Sequence, residues 1–578
     1  MSILKNIENQ LLKSLQEQGY PLEQLHLLKS NRKELGDYQI NDAMKLAKIM
    51  HQNPNEIAKG MVEVLKSTNL FSNINIAGVG FINLTFSSSQ LLKMMQAIEE
   101  DKNLSFDKLE SSKIFIDYGG ANIAKTLHVG HLRSANLGEG LKRLARYLGK
   151  EVISDVHFGD IGRQSGMVIY ELQQRYPDLN YFKGTPQTKW DELPITGASL
   201  QEIYPLASRK AKENEEIMEQ VRQITAELEQ GNPGYQALWN KIKEISIQDI
   251  KGIYKRLHTD FDLWEGESDC YPYMFPLINQ LEKQGYLKDS EGAKIIEVKE
   301  PTDKAPMPPL VVVKQNGATL YATRELATLD SRIKRFAPDE VWYLTDSRQE
   351  LYFTQVFRAA YKTKIVPPTT KLEFYGFGTM NGLDGKPFKT RDGNTATLTS
   401  LLESVKTEIL AIMSPSIKEQ EKDAIAEQVM IAAVKYADFL PNRTTDYIFD
   451  PAKFVDVEGK TGPYLLYSTI RMKSLLTKST ISQPKIKQIT TTLDKEIILQ
   501  LLDKAETLTK AYQTKELNGI ADYLYTLTST YNHFYEQNHI LTEKDKTIQE
   551  SWLALTKAVY DTNVELLTIL GIEIPEKM

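Results

Sequence analysis

Two histidines three positions apart, His128 and His131, enclose Gly130 in the run HVGH, in a chain with only eight histidines. Three chemistries fit such a pair: a metal site, a grip on phosphate, or two incidental surface imidazoles. A dication would want a further His, Cys or carboxylate at ligand spacing, whereas the nearby residues are basic, Lys125 and Arg133. Phosphate needs only N–H donors on one side of a helical turn, which residues three apart supply. Gly130 leaves room there for a flat base against the backbone. An isolated H-x-G-H is more often incidental than functional, so the elements around it must decide.

KIFIDY (113–118) is a short apolar strand candidate. After it, Leu132, Leu137, Leu141, Leu144, Ala145 and Leu148 form a helical stripe ended by Gly149. EVISDVHF then reads as a second strand. Strand, helix and strand make a right-handed βαβ unit and predict a parallel sheet. HVGH falls at its strand-to-helix turn, where free backbone N–H groups and the helix dipole favour an anion, so phosphate overtakes the other readings.

Further parallel-strand candidates are LVVVK (310–314), EVWYLT (340–345) and KLEFYGFG (371–378), while residues 165 to about 290 are helical and charged and read as an insertion. Residues 1–85 read as a small α+β module closed by INIAGVGFINLTF, whose Gly78 and Gly80 mark a turn or bulge. EEDKNLSFDKLESSK has the composition of a linker, and from about 420 long periodic segments predict helices. The expected fold class is α/β multidomain: a parallel-sheet domain with an N-terminal α+β module and a C-terminal all-α domain.

Composition narrows the function classes less. The 578 residues exceed one core, and 41% apolar with 25% charged residues excludes long disorder or a fibrous repeat. A net charge of -6 gives no overall basic signature, although binding nucleic acid needs only a local basic surface. Cys270 is the single cysteine, so multi-cysteine zinc modules are excluded and a reducing, cytoplasmic setting is expected. The first residues read as an amphipathic helix, with no signal peptide and no membrane span. GKTGPY ends like a phosphate loop, but the required earlier glycine is Phe454.

The longer stretch DYGGANIAKTLHVGHLRSANLGEGL resembles the first signature of the class I aminoacyl-tRNA synthetases, and specifically the arginyl-tRNA synthetases. DVHFGDIGRQSG, TLYATRELA, DSRQELYFTQVF, RTTDYIFDPAKFVDVEGKTGPYLLYSTIR and LLTILGIEIPEKM are similar to further family segments, and LGDYQINDAM to its N-terminal extension. The resemblance covers nearly the whole chain. It implies a Rossmann-type catalytic domain over 109–395 with a helical insertion at about 170–295, and an N-terminal tRNA-contacting module over 1–108. A connecting helical region (396–450) and a helical anticodon-binding domain (451–578) would complete the chain. The implied enzyme is a cytoplasmic monomer that uses ATP with Mg2+, arginine and the cognate tRNA, and that forms its adenylate efficiently only with tRNA bound.

The resemblance also implies site residues. Lys125, His128 and His131 would act on the phosphates, with Gly130, Gly159 and Asp160 at the nucleotide and His157 an additional candidate beside them. The second class I signature, K-M-S-K-S, is absent in strict form; the matching loop GKPFKTRDGN offers Lys386, Lys389 and Arg391. A guanidinium wants acidic and amide acceptors for its planar fork: Tyr321, position 325 and Gln349 align with the arginine pocket, and Asp117 and Asn122 with the positions that hold the amino acid's polar ends. Two residues depart from the pattern, Glu325 where an aspartate is expected and Ile161 where tryptophan is common. Tyr464, Tyr467 and Arg471 would face RNA, although tyrosines at helical spacing are more often core. A non-catalytic tRNA-binding paralogue, or a class I synthetase or nucleotidyltransferase with another substrate, remains the alternative.

Overall fold

Ser2 opens the first helix by accepting the Lys5 N–H, and α1 (Ile3–Glu17) buries Ile7, Leu11 and Leu15, the face its periodicity marks. The computed structural model describes every residue except 316, 318 and 387–396. After α1 come β1 (Leu28–Lys29), β2 (Tyr38–Ile40), α2 (Ala43–Met50), α3 (Pro54–Ser67), β3 (Phe71–Ala77), β4 (Phe81–Phe86) and α4 (Ser88–Glu100). The strands form an antiparallel sheet of order β1-β2-β4-β3. INIAGVGFINLTF supplies the β3–β4 hairpin. Gly78 and Gly80 sit in its turn at φ +58° and +103°, values glycine adopts without a Cβ penalty.

The next compact unit, Glu110–Asp456 with Leu570–Ile572, begins with β5 (Lys113–Asp117), α5 (Val129–Tyr147) and β6 (Glu151–Asp155). The helices α6 (Arg163–Arg175), α7 (Gly197–Glu213), α8 (Glu215–Glu229), α9 (Pro233–Arg256) and α10 (Tyr271–Lys283) follow as the helical insertion. Then come β7 (Lys288–Ser290), β8 (Ala293–Ile296), β9 (Leu310–Val313), α11 (Tyr321–Phe336), β10 (Glu340–Tyr343), α12 (Glu350–Lys362), β11 (Lys371–Phe374) and β12 (Met380–Asn381). The unit continues with α13 (Leu398–Ile412), α14 (Glu419–Phe439), β13 (Tyr447–Ile448) and α15 (Pro451–Phe454). The main sheet is parallel throughout, in the order β11-β10-β5-β6, and isolated parallel bridges bring Leu263 and Gly266 alongside the β6 end.

One strand expectation fails. LVVVK becomes β9, which pairs antiparallel with β8 in a separate three-stranded sheet, β7-β8-β9. A short apolar run reads alike in either setting, and the turn at Glu291 and Gly292, both at positive φ, makes the hairpin that captures it.

The C-terminal segment supplies α16 (Gly462–Lys478), α17 (Thr492–Leu502), α18 (Lys504–Thr514), α19 (Asn518–Gln537) and α20 (Lys546–Ile569). These helices do not stand apart from the N-terminal module: Met1–Leu109 and Val457–Ile569 form one compact unit. A single apolar cluster runs from Leu11 and Leu84 to Ile497, Phe534 and Val559. Tyr38 Oη donates to Asp503 at 2.8 Å, and Gln96 Nε2 to the Ile486 carbonyl at 3.0 Å.

Candidate active site

A cleft of about 620 Å³ opens at the carboxyl ends of β5 and β10 beside the first turn of α5. His128 is the N-cap of α5, and its Nδ1 accepts the Gly130 N–H at 3.1 Å; His131 Nδ1 accepts the His128 N–H at 3.0 Å. Each ring thus spends Nδ1 on capping the helix, which puts the proton of the neutral imidazole on Nε2. Burial, then the neighbouring His128, hold the His131 imidazole down at about 3, against hydrogen bonding to the His128 and Gly120 backbones. Desolvation and Lys125 lower His128 as well. Both rings are therefore uncharged at neutral pH, with their centroids 4.0 Å apart. Gly130 makes room first for an imidazole, since a Cβ there would lie 3.0 Å from His128 Cε1.

Beneath the cleft the ends of three neighbouring strands converge. Tyr343, Asp117 and Asp155 stand at matched register on β10, β5 and β6, and the fully buried Arg332 of α11 reaches all three. Its Nη2 donates to Asp117 at 2.7 Å and to Asp155 at 2.8 Å, and its Nη1 to Tyr343 Oη at 3.2 Å. Asp117, Asp155 and His157 lie close enough to ligate a metal, but the guanidinium already occupies the space between the two carboxylates. Burial pushes Asp117 up to about 6, although Arg332 and His157 act the other way. Burial alone would lower His157; the Asp155 carboxylate, 3.6 Å from its Nδ1, more than offsets this and raises it to about 9.

α11 carries the other half of the site. Tyr321, 63% exposed, and Glu325, buried, both line the cleft one helical turn apart, and Gln349 lines it from the segment before α12. Glu325 Oε1 accepts the Tyr343 hydroxyl at 2.6 Å. Asn122 and Gly159 face each other across a parallel bridge so tight that a Cβ on Gly159 would meet Asn122 Oδ1 at 2.3 Å. Both line the cleft.

The description "tRNA synthetases class I (R), catalytic domain" matches residues 93–451, which is more than half of the chain. The chain belongs to the class I arginyl-tRNA synthetase family. The family's N-terminal domain matches residues 2–86 and the DALR anticodon binding domain residues 465–578. The chain is 40% identical to the arginine–tRNA ligase of Alkaliphilus oremlandii and 39% identical to that of Agathobacter rectalis, with 100% of each chain covered. An arginyl-tRNA synthetase structure from Plasmodium falciparum shares the fold at a TM-score of 0.82 and 23% identity, again over 100% of both chains.

Several positions that arginyl-tRNA synthetase motifs pointed to lie elsewhere. Lys125 does not line the cleft; its ammonium sits 5.0 Å from the centroid of the Tyr204 ring on α7, although its charge still reaches both imidazoles. Asp160 is a correction: its buried carboxylate takes the Ser268 N–H at 2.8 Å and Lys243 at 3.0 Å, so it braces a turn and faces away from the cleft. Next to the buried Ile161, an indole is supplied from α9, where Trp239 donates to the Asp160 carbonyl at 2.7 Å. Lys386 is exposed in a turn after β12 and does not line the cleft, while Lys389 and Arg391 lie outside the described residues. Of the three RNA-facing candidates, Tyr464 is partly buried. It bonds to Asn532 and Ser529 of α19, and Arg471 also bonds to Asn532, which leaves Tyr467 as the half-exposed ring.

Other residues of the arginyl-tRNA synthetase cleft were missed. Glu267, paired with Arg324 Nε at 2.9 Å, enters from the far end of the insertion. Tyr343 and Tyr352 line the cleft beside it. The available signal was an arginine, Arg332, at the end of a helical stretch whose positions 322–331 are all buried.

Proposed function

We propose that this chain is an arginine–tRNA ligase. It joins arginine to ATP as arginyl-adenylate with release of pyrophosphate, and then passes arginine to the 3'-end of its tRNA. In the first step a carboxylate oxygen of arginine bonds to the α-phosphorus as the bond from that phosphorus to the oxygen bridging it to the β-phosphorus breaks, and that oxygen leaves with pyrophosphate. No protein nucleophile is needed, and catalysis rests on positioning and on donors aimed at developing phosphate charge. His128 and His131 offer those donors as neutral Nε2–H groups. Glu325 with Tyr321 and Gln349 would take the guanidinium, and Asp117 with Asn122 the polar end of the amino acid.

The observation that carries this reading is the placement of Asp117, Glu325 and the histidine pair around one cleft. The acidic cluster at Asp117 is already neutralised by Arg332, so it does not fit Mg2+. The ion would arrive on the ATP phosphates, and no step here depends on it. Tyr467 is the residue best placed to stack on RNA. The lone Cys270 is buried with its thiol pushed up to about 12, and among the described residues no helix is long and apolar enough to cross a membrane; a cytoplasmic monomer is the setting proposed. Arginine-dependent pyrophosphate exchange, measured with and without cognate tRNA, tests the reading. Exchange with arginine and tRNA is expected to exceed exchange without tRNA. Equal rates would reject the tRNA requirement, and tRNA binding with no arginine-dependent ATP use would favour a non-catalytic paralogue.

A further inference from the structure

Two hydrogen-bonded arms leave the buried guanidinium of Arg332. One ends on Asp117, and the other runs through Tyr343 Oη to Glu325. We propose that Arg332 and Tyr343 are positioning residues that hold the carboxylates of Asp117 and Glu325 at a set separation, so that the two ends of one arginine are read together.

This inference rests on the arginine reading of the cleft. Its geometry comes from the fold: three strand ends at equal register present Tyr343, Asp117 and Asp155 to one side chain, and only a planar fork with several donors can bond all three at once. The bonds use Oδ2 of Asp117 and Oε1 of Glu325, leaving the second oxygen of each carboxylate for the ligand. Tyr343, Asp117 and Glu325 line the cleft, whereas Arg332 lies beneath it. A buried ion pair is weak evidence for stability, since an apolar replacement of equal volume often serves as well. Its value here is in orientation. It also explains how the longer Glu325 can serve where an aspartate is the family's rule: the phenol fixes the extra methylene's freedom.

The test is pyrophosphate exchange with arginine and ATP varied separately, at several pH values, on the full chain with tRNA. Tyr343→Phe removes one oxygen and should raise KM for arginine about 10-fold, the scale of one hydrogen bond to a charged group, with KM for ATP within about twofold. Arg332→Gln removes the charge facing Asp117 and leaves it with His157 against Asp155 and Glu325. The carboxylate then ionises at higher pH, and the acidic limb of kcat/KM for arginine should move upward, a change that Arg332→Lys should largely prevent. If Arg332→Gln fails to fold, Tyr343→Phe decides alone. The proposal is overturned if Tyr343→Phe leaves KM for arginine unchanged, or raises both KM values alike. Loss of arginine dependence in the wild-type chain would instead reject the proposed function.

Discussion

His131 does two things with one ring. Its Nδ1 caps α5 by accepting the His128 N–H, and its Nε2–H is the donor proposed for the phosphates. His131→Ala should therefore lower adenylation by about 10²-fold, the usual loss for one donor to developing charge, and also lower stability by about 1 kcal/mol as a cap is lost. Single-turnover adenylation and thermal melts read the two effects separately; a variant weaker in stability but unchanged in rate would remove the catalytic assignment. His157 predicts a pH dependence of the opposite kind. Its imidazole is raised from an ordinary value of about 6.5 to about 9, so its charged form is favoured in the fold. The stability it contributes is fully present below pH 6.5 and is lost as pH rises to 9. His157→Gln should flatten that part of the stability profile, and a variant whose melting temperature falls with pH as steeply as the wild type would contradict the Asp155 pairing.

At the scale of elements, α5 is buried on every side, including Arg133, Asn136 and Glu139. Arg133 donates to the carbonyls of Gly378 at 2.7 Å and Thr445 at 2.8 Å and pairs with Asp438. One side chain thus ties the signature helix to the segment leading into β12 and to the one before β13. Arg133 therefore acts from within the core. Arg133→Met should destabilise the unit by about 3–5 kcal/mol, because Asp438 would be left buried without its partner. Denaturant unfolding measures this, and adding Asp438→Asn should recover part of the loss; a single variant as stable as wild type would show the pair to be idle.

At the scale of the whole molecule, the two ends of the chain build one core. Leu11, Leu65 and Leu84 share an apolar cluster with Ile497 and Phe534, and Lys33 pairs with Glu496. A chain ending at residue 456 would keep the parallel sheet but strip the N-terminal module of the C-terminal side chains in its core. Limited proteolysis of that truncation should digest residues 1–109 before 110–456, and equal resistance of both segments would contradict a shared core.

Much of this protein was legible in the sequence because the signals are local. The 3.6-residue stripe of α5, the strand candidates KIFIDY and EVISDVHF, and the glycines of the β3–β4 turn each express backbone geometry within a few residues. The placement of HVGH at a helix start followed from them, whereas Tyr321 and Glu325 came to one pocket through the family resemblance. What the sequence could not carry depends on residues far apart. Whether LVVVK pairs parallel or antiparallel rests on which strand competes for its hydrogen bonds, and its own pattern is the same in both cases. The ring nitrogen with which each histidine caps its helix, the partners of Asp160, and the reach of Arg332 under three strand ends were decided by partners up to 215 positions away. Burial makes every polar atom find such a partner, and only the folded chain determines which one it finds.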